Sequence, residues 1–264
     1  MVERAGPAHH AGMDAPPLFP PATWWLVAAV FALAGAVKGV AGLGLPTLAM
    51  ALLSLWWPPA AAASLMLLPA LLTNLAQCVG PHARTLARRL APMWLGMVAG
   101  TLACPWDGLG ASGRGTSFAL GVVLAGHGVV GLLGLMLPAP GRHAGAWGAA
   151  AGAAGGLLSA STGVFVVPMV AYLQAPRLER DALVQALGLS FMVATLALAW
   201  RLRTAGVDVG GRHAAPVLAV ALASAFAGLA VGARLRGRLS PTAFRRALNA
   251  VFTVLGVLMA VRAL

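Results

Sequence analysis

The stretch FALAGAVKGVAGLGLPTLAM, residues 31–50, decides the fold. It is apolar enough for a bilayer, yet it holds glycines at 35, 39, 42 and 44, a proline at 46, and Lys38, the only lysine of the chain. A plain membrane helix has no use for this combination. Glycine suits backbone that bends or packs closely, and Pro46 cannot continue a helix arriving from before it. The stretch predicts a helix that runs into the membrane, breaks near its centre and restarts with Pro46 in first position, where no backbone donor is needed.

Composition points the same way. Of 264 residues, 60% are hydrophobic and 9% charged, with mean hydropathy +0.86. A soluble domain carries about 25% charged residues. The class is therefore a polytopic α-helical membrane protein with no soluble domain. Residues 1–22, rich in Pro, Ala and Gly, read as a disordered tail. The first apolar run is expected to be retained, although residues 32–36 weakly resemble a signal cleavage site. A net charge of +12 could suggest nucleic acid, but the arginines sit in short loops where they set membrane orientation, and no large basic face exists. Cys78 and Cys104 lie in or beside apolar runs and read as small buried side chains, not a disulfide.

Apolar runs cover about 23–40, 46–57, 60–80, 90–106 and 116–137, and a turn follows at 138–142. The second run, 12 residues, is short for a ~30 Å hydrocarbon core. The pattern then returns. Residues 145–160 are apolar and small, Ser161-Thr162-Gly163 interrupts, and a short arm resumes at 164–173. Runs at 182–200, 214–232 and 243–263 complete the chain. Each half reads as one broken pair and three crossings, an internal duplication with repeat 1 at 23–140 and repeat 2 at 141–264. The fold expected is all-α: a transmembrane helical bundle of 8–10 segments in two inverted-topology repeats.

Orientation tests the arrangement. With the N-terminus outside (periplasmic), and each broken pair entering and leaving on one side, the inside loops hold eleven of the 18 basic residues and the outside six. This fits the positive-inside rule. Trp24, Trp25, Trp56, Trp57, Trp106 and Trp200 then fall at the outer boundary and Trp147 at the inner one. Inverted repeats with interrupted helices are how many secondary transporters build a site near the bilayer midplane.

Candidate site residues follow from the breaks. Gly42, Gly44, Pro46 and Thr47 form the first break, and Ser161 or Thr162 is expected to cap a helix restarting at Gly163. Helix N-termini in the membrane interior attract anions. Lys38, an ionisable group within a membrane run, is either a positive charge for an anionic substrate or a snorkelling side chain. Thr73, Asn74 and Gln77 recur at helical spacing in the third run, with Gln185, Ser190 and Thr195 in the matching slot. Thr73, Asn74 and Gln185 are the pocket candidates, interhelical hydrogen bonds being the competing use. His127 could relay protons, but a hydrogen bond to a neighbouring helix is the expected role. The glycines could serve only tight helix packing, a use compatible with the first. None of the six acids lies mid-run, which disfavours cation or metal transport and a carboxylate proton relay. No protease or hydrolase constellation is present, so neither an enzyme nor a cofactor is expected.

These residues resemble the sulfite exporter TauE/SafE family, also called the 4-toluene sulfonate uptake permeases (TSUP). VKGVAGLGLPT at 37–47, PP at 58–59, LLPALLTNLAQ at 67–77, GLLSASTGVFVVPMVAYLQ at 156–174 and DALVQALGLSFMVATLALA at 181–199 carry the resemblance. It covers about 24–260 and implies a bacterial inner-membrane carrier of small sulfur-containing or carboxylated anions, built from two related halves. In the family a longer spacer often precedes the proline, whereas here one residue separates Gly44 from Pro46. The function expected is a secondary transporter or facilitator of sulfite or an organosulfonate. Its partners are that anion and the lipid bilayer, and a homo-oligomer is compatible with the sequence. The alternatives are a non-transporting membrane scaffold, which would pack the breaks dry, and a carrier of another solute such as a carboxylate or, less favoured, a metal cation.

Overall fold

The computed structural model describes residues 19–105, 108–110, 113–134, 141–174, 178–207 and 215–264. Most of the expected tail, with Trp106 and the turn at 138–140, lies outside the described residues. Among the described residues, ten α-helices follow the apolar runs. They are α1 Trp24–Ala41, α2 Leu45–Leu53, α3 Pro59–Cys78, α4 Ala83–Leu102, α5 Arg114–Leu133, α6 Ala144–Thr162, α7 Val166–Gln174, α8 Arg180–Thr204, α9 Ala215–Leu235 and α10 Pro241–Ala263. Six of them, α1, α3, α5, α8, α9 and α10, are long and apolar enough to cross a membrane. The short arms α2 and α7 have nine residues each, about 14 Å of helix, and the first is shorter than its apolar run. α4 begins seven residues before its apolar run, so that Arg84, Arg88 and Arg89 are helical rather than in a loop.

Outward faces are apolar: Leu95, Leu133, Val254 and Val261 are among the exposed large side chains. Their cover is lipid. Trp25, Trp56, Trp147 and Trp200 are exposed, as boundary anchors should be. Trp57 is not one of them: it is buried, with its ring 5.1 Å from that of Phe19. Cys78 and Cys104 are not joined in a disulfide; Cys104 is buried, as expected, whereas Cys78 is only half-buried.

Helix packing rests on small residues. α1 lies along α9, α4 along α6, α5 along α10 and α3 beside α8. A Cβ at Gly39 would stand 2.5 Å from the Leu229 carbonyl oxygen and 2.8 Å from Gly232 Cα, so these two backbones touch. Apolar side chains gain little by leaving lipid for protein, and close backbone contact supplies the attraction instead. The pairings recur when each helix is advanced by five places: α1–α9 becomes α6–α4, α3–α9 becomes α8–α4, and α2–α10 becomes α7–α5. Contacts recur in detail. Gly35 meets Ala225 as Gly156 meets Met97, and Gly228 meets Ala32 as Gly100 meets Ala153.

Candidate functional site

The first break is made by two glycines. Gly42 ends α1 at φ 78°, a left-handed conformation open to glycine but strained for other residues. Its N–H donates to the Lys38 carbonyl at 2.7 Å. Gly44, at φ 107°, starts α2 by accepting the Leu48 N–H at 2.9 Å. The restart is therefore at Leu45, and Pro46 takes the second helical position, not the first. The physical licence is unchanged, because none of the first four N–H groups of a helix has an intrahelical acceptor.

Lys38 stands one turn before Gly42 and is 1% exposed, so it does not snorkel. Its Nζ donates to Thr73 Oγ1 at 3.1 Å and to Asn74 Oδ1, both on α3. The Thr73 hydroxyl itself donates to the Pro69 carbonyl at 2.7 Å, which leaves its oxygen to accept from Lys38. One turn further along α3, Gln77 Nε2 donates to the Gly42 carbonyl at 2.9 Å. From just past α9, Arg236 gives Nε and Nη2 to the Gly39 carbonyl at 3.0 and 2.7 Å. The carbonyls at the carboxyl end of α1, where the helix dipole gathers negative charge, are thus met by one guanidinium and one carboxamide. No acid competes there: among the described residues the carboxylates are Glu179 and Asp181, at the start of α8.

The second break differs from expectation in register. α6 runs through Ser161 and Thr162, and Gly163, at φ 71°, closes it by donating to the Ser159 carbonyl at 2.8 Å. The next helix starts at Val166, not Gly163. The Ser161 and Thr162 hydroxyls do not cap it. They donate back to the Leu157 and Leu158 carbonyls at 2.8 and 2.7 Å, as such side chains commonly do inside helices. Thr162 Oγ1 also accepts the Val164 N–H at 3.2 Å. The two breaks are linked by Met50 of α2, since a Cβ on Gly163 would come 2.7 Å from Met50 Cε.

The structure therefore gathers Lys38, Gly42, Thr73 and Asn74, and brings the arm carrying Gly44, Pro46 and Thr47 against Gly163. Gln185 has other work. Its Nε2 donates to the Cys78 carbonyl and its Oε1 accepts the His82 N–H, both at 3.0 Å, which pins the turn between α3 and α4. His127 packs its ring 5.4 Å from that of Phe252 and forms no hydrogen bond among the described residues. Ser190 accepts from Trp94 Nε1 at 2.9 Å, and Thr195 donates to the Phe191 carbonyl at 2.7 Å. Several polar atoms beside the breaks are buried without a partner: Thr47 Oγ1, Asn74 Nδ2, Gln77 Oε1 and Ser159 Oγ. Two cavities lie elsewhere, at helix ends. One of about 400 Å³ is lined by Arg84, Thr85, Arg88 and Arg89, and one of about 230 Å³ includes Ser54, Arg114, Ser117 and Arg262.

Sequence reasoning singled out neither Arg236 nor Ser159, and treated Gln77 only as one polar residue of the third run. Arg236 is 197 positions from Gly39, and nothing local signals the pairing. Ser159 could have been found by counting back from Gly163 as Lys38 is counted from Gly42.

The family model for Sulfite exporter TauE/SafE matches residues 27–259. No curated protein and no solved structure matches the chain.

Proposed function

The chain belongs to the sulfite exporter TauE/SafE family, a family of membrane transporters, and we propose that it is a secondary carrier or facilitator of small anions, with sulfite or an organosulfonate first, across the bacterial inner membrane. The observation that carries this reading is Lys38: a cation sealed among helices, answered by two neutral oxygens and no carboxylate. A buried charge lacking an opposite partner is expensive and marks function. An anion is the partner it lacks. Thr47 Oγ1 and Asn74 Nδ2, buried and unpaired, supply donors of the kind an oxyanion takes.

The recurrence of helix pairings and glycine contacts between the halves supports inverted repeats. The site is sealed, so the ligand enters only if one part of the bundle moves against another. That is alternating access around a site set at the breaks. The excess of arginines at the helix ends and turns taken as inside supports a periplasmic N-terminus.

The test is flux in proteoliposomes holding the full chain, with a panel of sulfite, sulfonates, carboxylates and chloride, for the natural protein and Lys38→Gln. Uptake of at least one panel anion, reduced about tenfold or more by the substitution, is the expected outcome. Equal flux in the variant would remove Lys38 from the site, and no flux of any anion would favour the scaffold.

A further inference from the structure

Counted from the glycine that ends each long arm, Ser159 stands where Lys38 stands. Each lies one turn before its left-handed glycine and gives that glycine's N–H a carbonyl acceptor, at 2.7 Å for Lys38 and 2.8 Å for Ser159. The frame holds beyond this turn. Val166 follows Leu45, and Arg180 follows Pro59, at the same interval of 121 positions that separates Gly163 from Gly42. Carried along α3, it sets Thr195 of α8 opposite Asn74.

The two places are alike in backbone and unlike in charge. One holds an ammonium and a carboxamide. The corresponding positions of the other half carry hydroxyls, those of Ser159 and Thr195, both on residues 0% exposed. Thr195 donates to its own helix, whereas Ser159 Oγ is buried with no partner. A single hydroxyl left unpaired in such a setting is unfavourable unless something takes it up.

We infer that Ser159 is the second pole of the ligand site, and that one charged pole paired with one neutral pole makes the site selective for singly charged anions. This rests on the carrier reading above and narrows its substrate class. The ligand is a monoanion, such as an organosulfonate, bisulfite or a monocarboxylate, and not sulfate or the sulfite dianion. The reason is electrostatic. Lys38 can neutralise one negative charge in a medium of low polarity, and Arg236, the other cation near this end of α1, is half-buried and held on the Gly39 carbonyl, so a second charge would be left without a counter-charge. A hydroxyl can donate to a further ligand oxygen without adding charge, as Ser159 and Thr47 are free to do.

Methanesulfonate and sulfate isolate the variable, since they share tetrahedral shape and differ by one charge. Their fluxes are compared with the full-length protein in proteoliposomes held at zero membrane potential, because a potential acts twice on a dianion. Methanesulfonate is expected to move about a hundredfold faster or more, an unpaired buried charge being worth more than one tenfold step. Sulfate moving as fast as methanesulfonate, or faster, overturns the inference and leaves the carrier reading intact. Flux of neither these two nor any other anion overturns both. Two variants locate the pole. Ser159→Lys should narrow the ratio by about tenfold or more, and Lys38→Ser with Ser159→Lys should regain methanesulfonate flux that Lys38→Ser alone loses. A Ser159→Lys protein that folds, transports and keeps the natural ratio would show that Ser159 does not face the ligand. The ratio in the natural protein decides the charge preference even where a variant fails to fold.

Discussion

Replacing Lys38 with methionine, and Asn74 with leucine beside it, should separate stability from transport. A buried ion carries an effective penalty of several kcal/mol. Lys38 recovers part of this through hydrogen bonds to Thr73 and Asn74, each worth about 1.5–3 kcal/mol when the donor is charged. Methionine fills the same channel without charge. Alone it would strand Asn74 Oδ1 and give back about 1–3 kcal/mol, so Lys38→Met is expected to change stability little. Adding Asn74→Leu removes that stranded group and also the unpaired Asn74 Nδ2. Thr73 keeps its bond to the Pro69 carbonyl throughout. The double variant should gain about 2 kcal/mol, in line with buried ion pairs replaced by apolar side chains. For a chain of this size that is a rise in melting temperature of roughly 4–8 °C, read by fluorescence in detergent. Anion flux should be lost. A double variant that melts several degrees lower would make the Lys38 cluster a structural element, and one that still transports would remove the cluster from the pathway.

Four further substitutions probe the frame. Gly39→Ala must push α1 from α9, because its Cβ would meet Leu229 O at 2.5 Å and Ala233 N at 2.7 Å; a loss of about 1–3 kcal/mol is expected in detergent unfolding. Gly126→Ala, also helical but with nothing within 4 Å, should instead stabilise by about 0.5–1 kcal/mol, and the opposite order of the two would refute the packing. Gly163→Ala places a side chain at φ 71° and 2.7 Å from Met50 Cε; about 1–2 kcal/mol of backbone strain should lower the melting temperature and slow flux together. Gln185→Leu leaves the Cys78 carbonyl and the His82 N–H without their partner, which should lower stability by about 1–2 kcal/mol while the half-saturating anion concentration stays unchanged.

The long helices and both interruptions were legible because they are local. Hydrophobic length reports a crossing, and Gly42, Gly44 and Gly163 report a chain that must leave the helical region. What failed was register. Ser161-Thr162 looked like an N-cap, yet a hydroxyl can donate to a carbonyl one turn back without ending its helix, and only Gly163 adopts positive φ there. Gln185 was polar in an apolar run for the reason given by the competing reading: it bonds main chain across an interhelical turn. Trp57 shows the same limit, since a boundary tryptophan and a buried one have the same local sequence signal. Arg236 was invisible because its acceptor belongs to another half of the chain.

The break and the charge are one design. In lipid an unpaired backbone carbonyl is penalised by several kcal/mol, so a helix can be interrupted only where other groups reach its ends. At the end of α1, Gly42 N–H takes the Lys38 carbonyl, Arg236 takes that of Gly39, and Gln77 takes that of Gly42. The donors come from α3 and from the end of α9, so the interruption exists only in the assembled bundle. The same packing sets α3 against α1, where Thr73 and Asn74 can hold the Lys38 ammonium away from water. At the second break the carbonyl of Ser159 is answered by Gly163 and the N–H of Val164 by Thr162, both from within the same turn of chain. A bundle whose two ends of repeat are closed by different means, one by charge and one by neutral groups, has a built-in polarity. On the carrier reading proposed above, that polarity would give an anion one place to bind its charge and one place to rest its remaining oxygens.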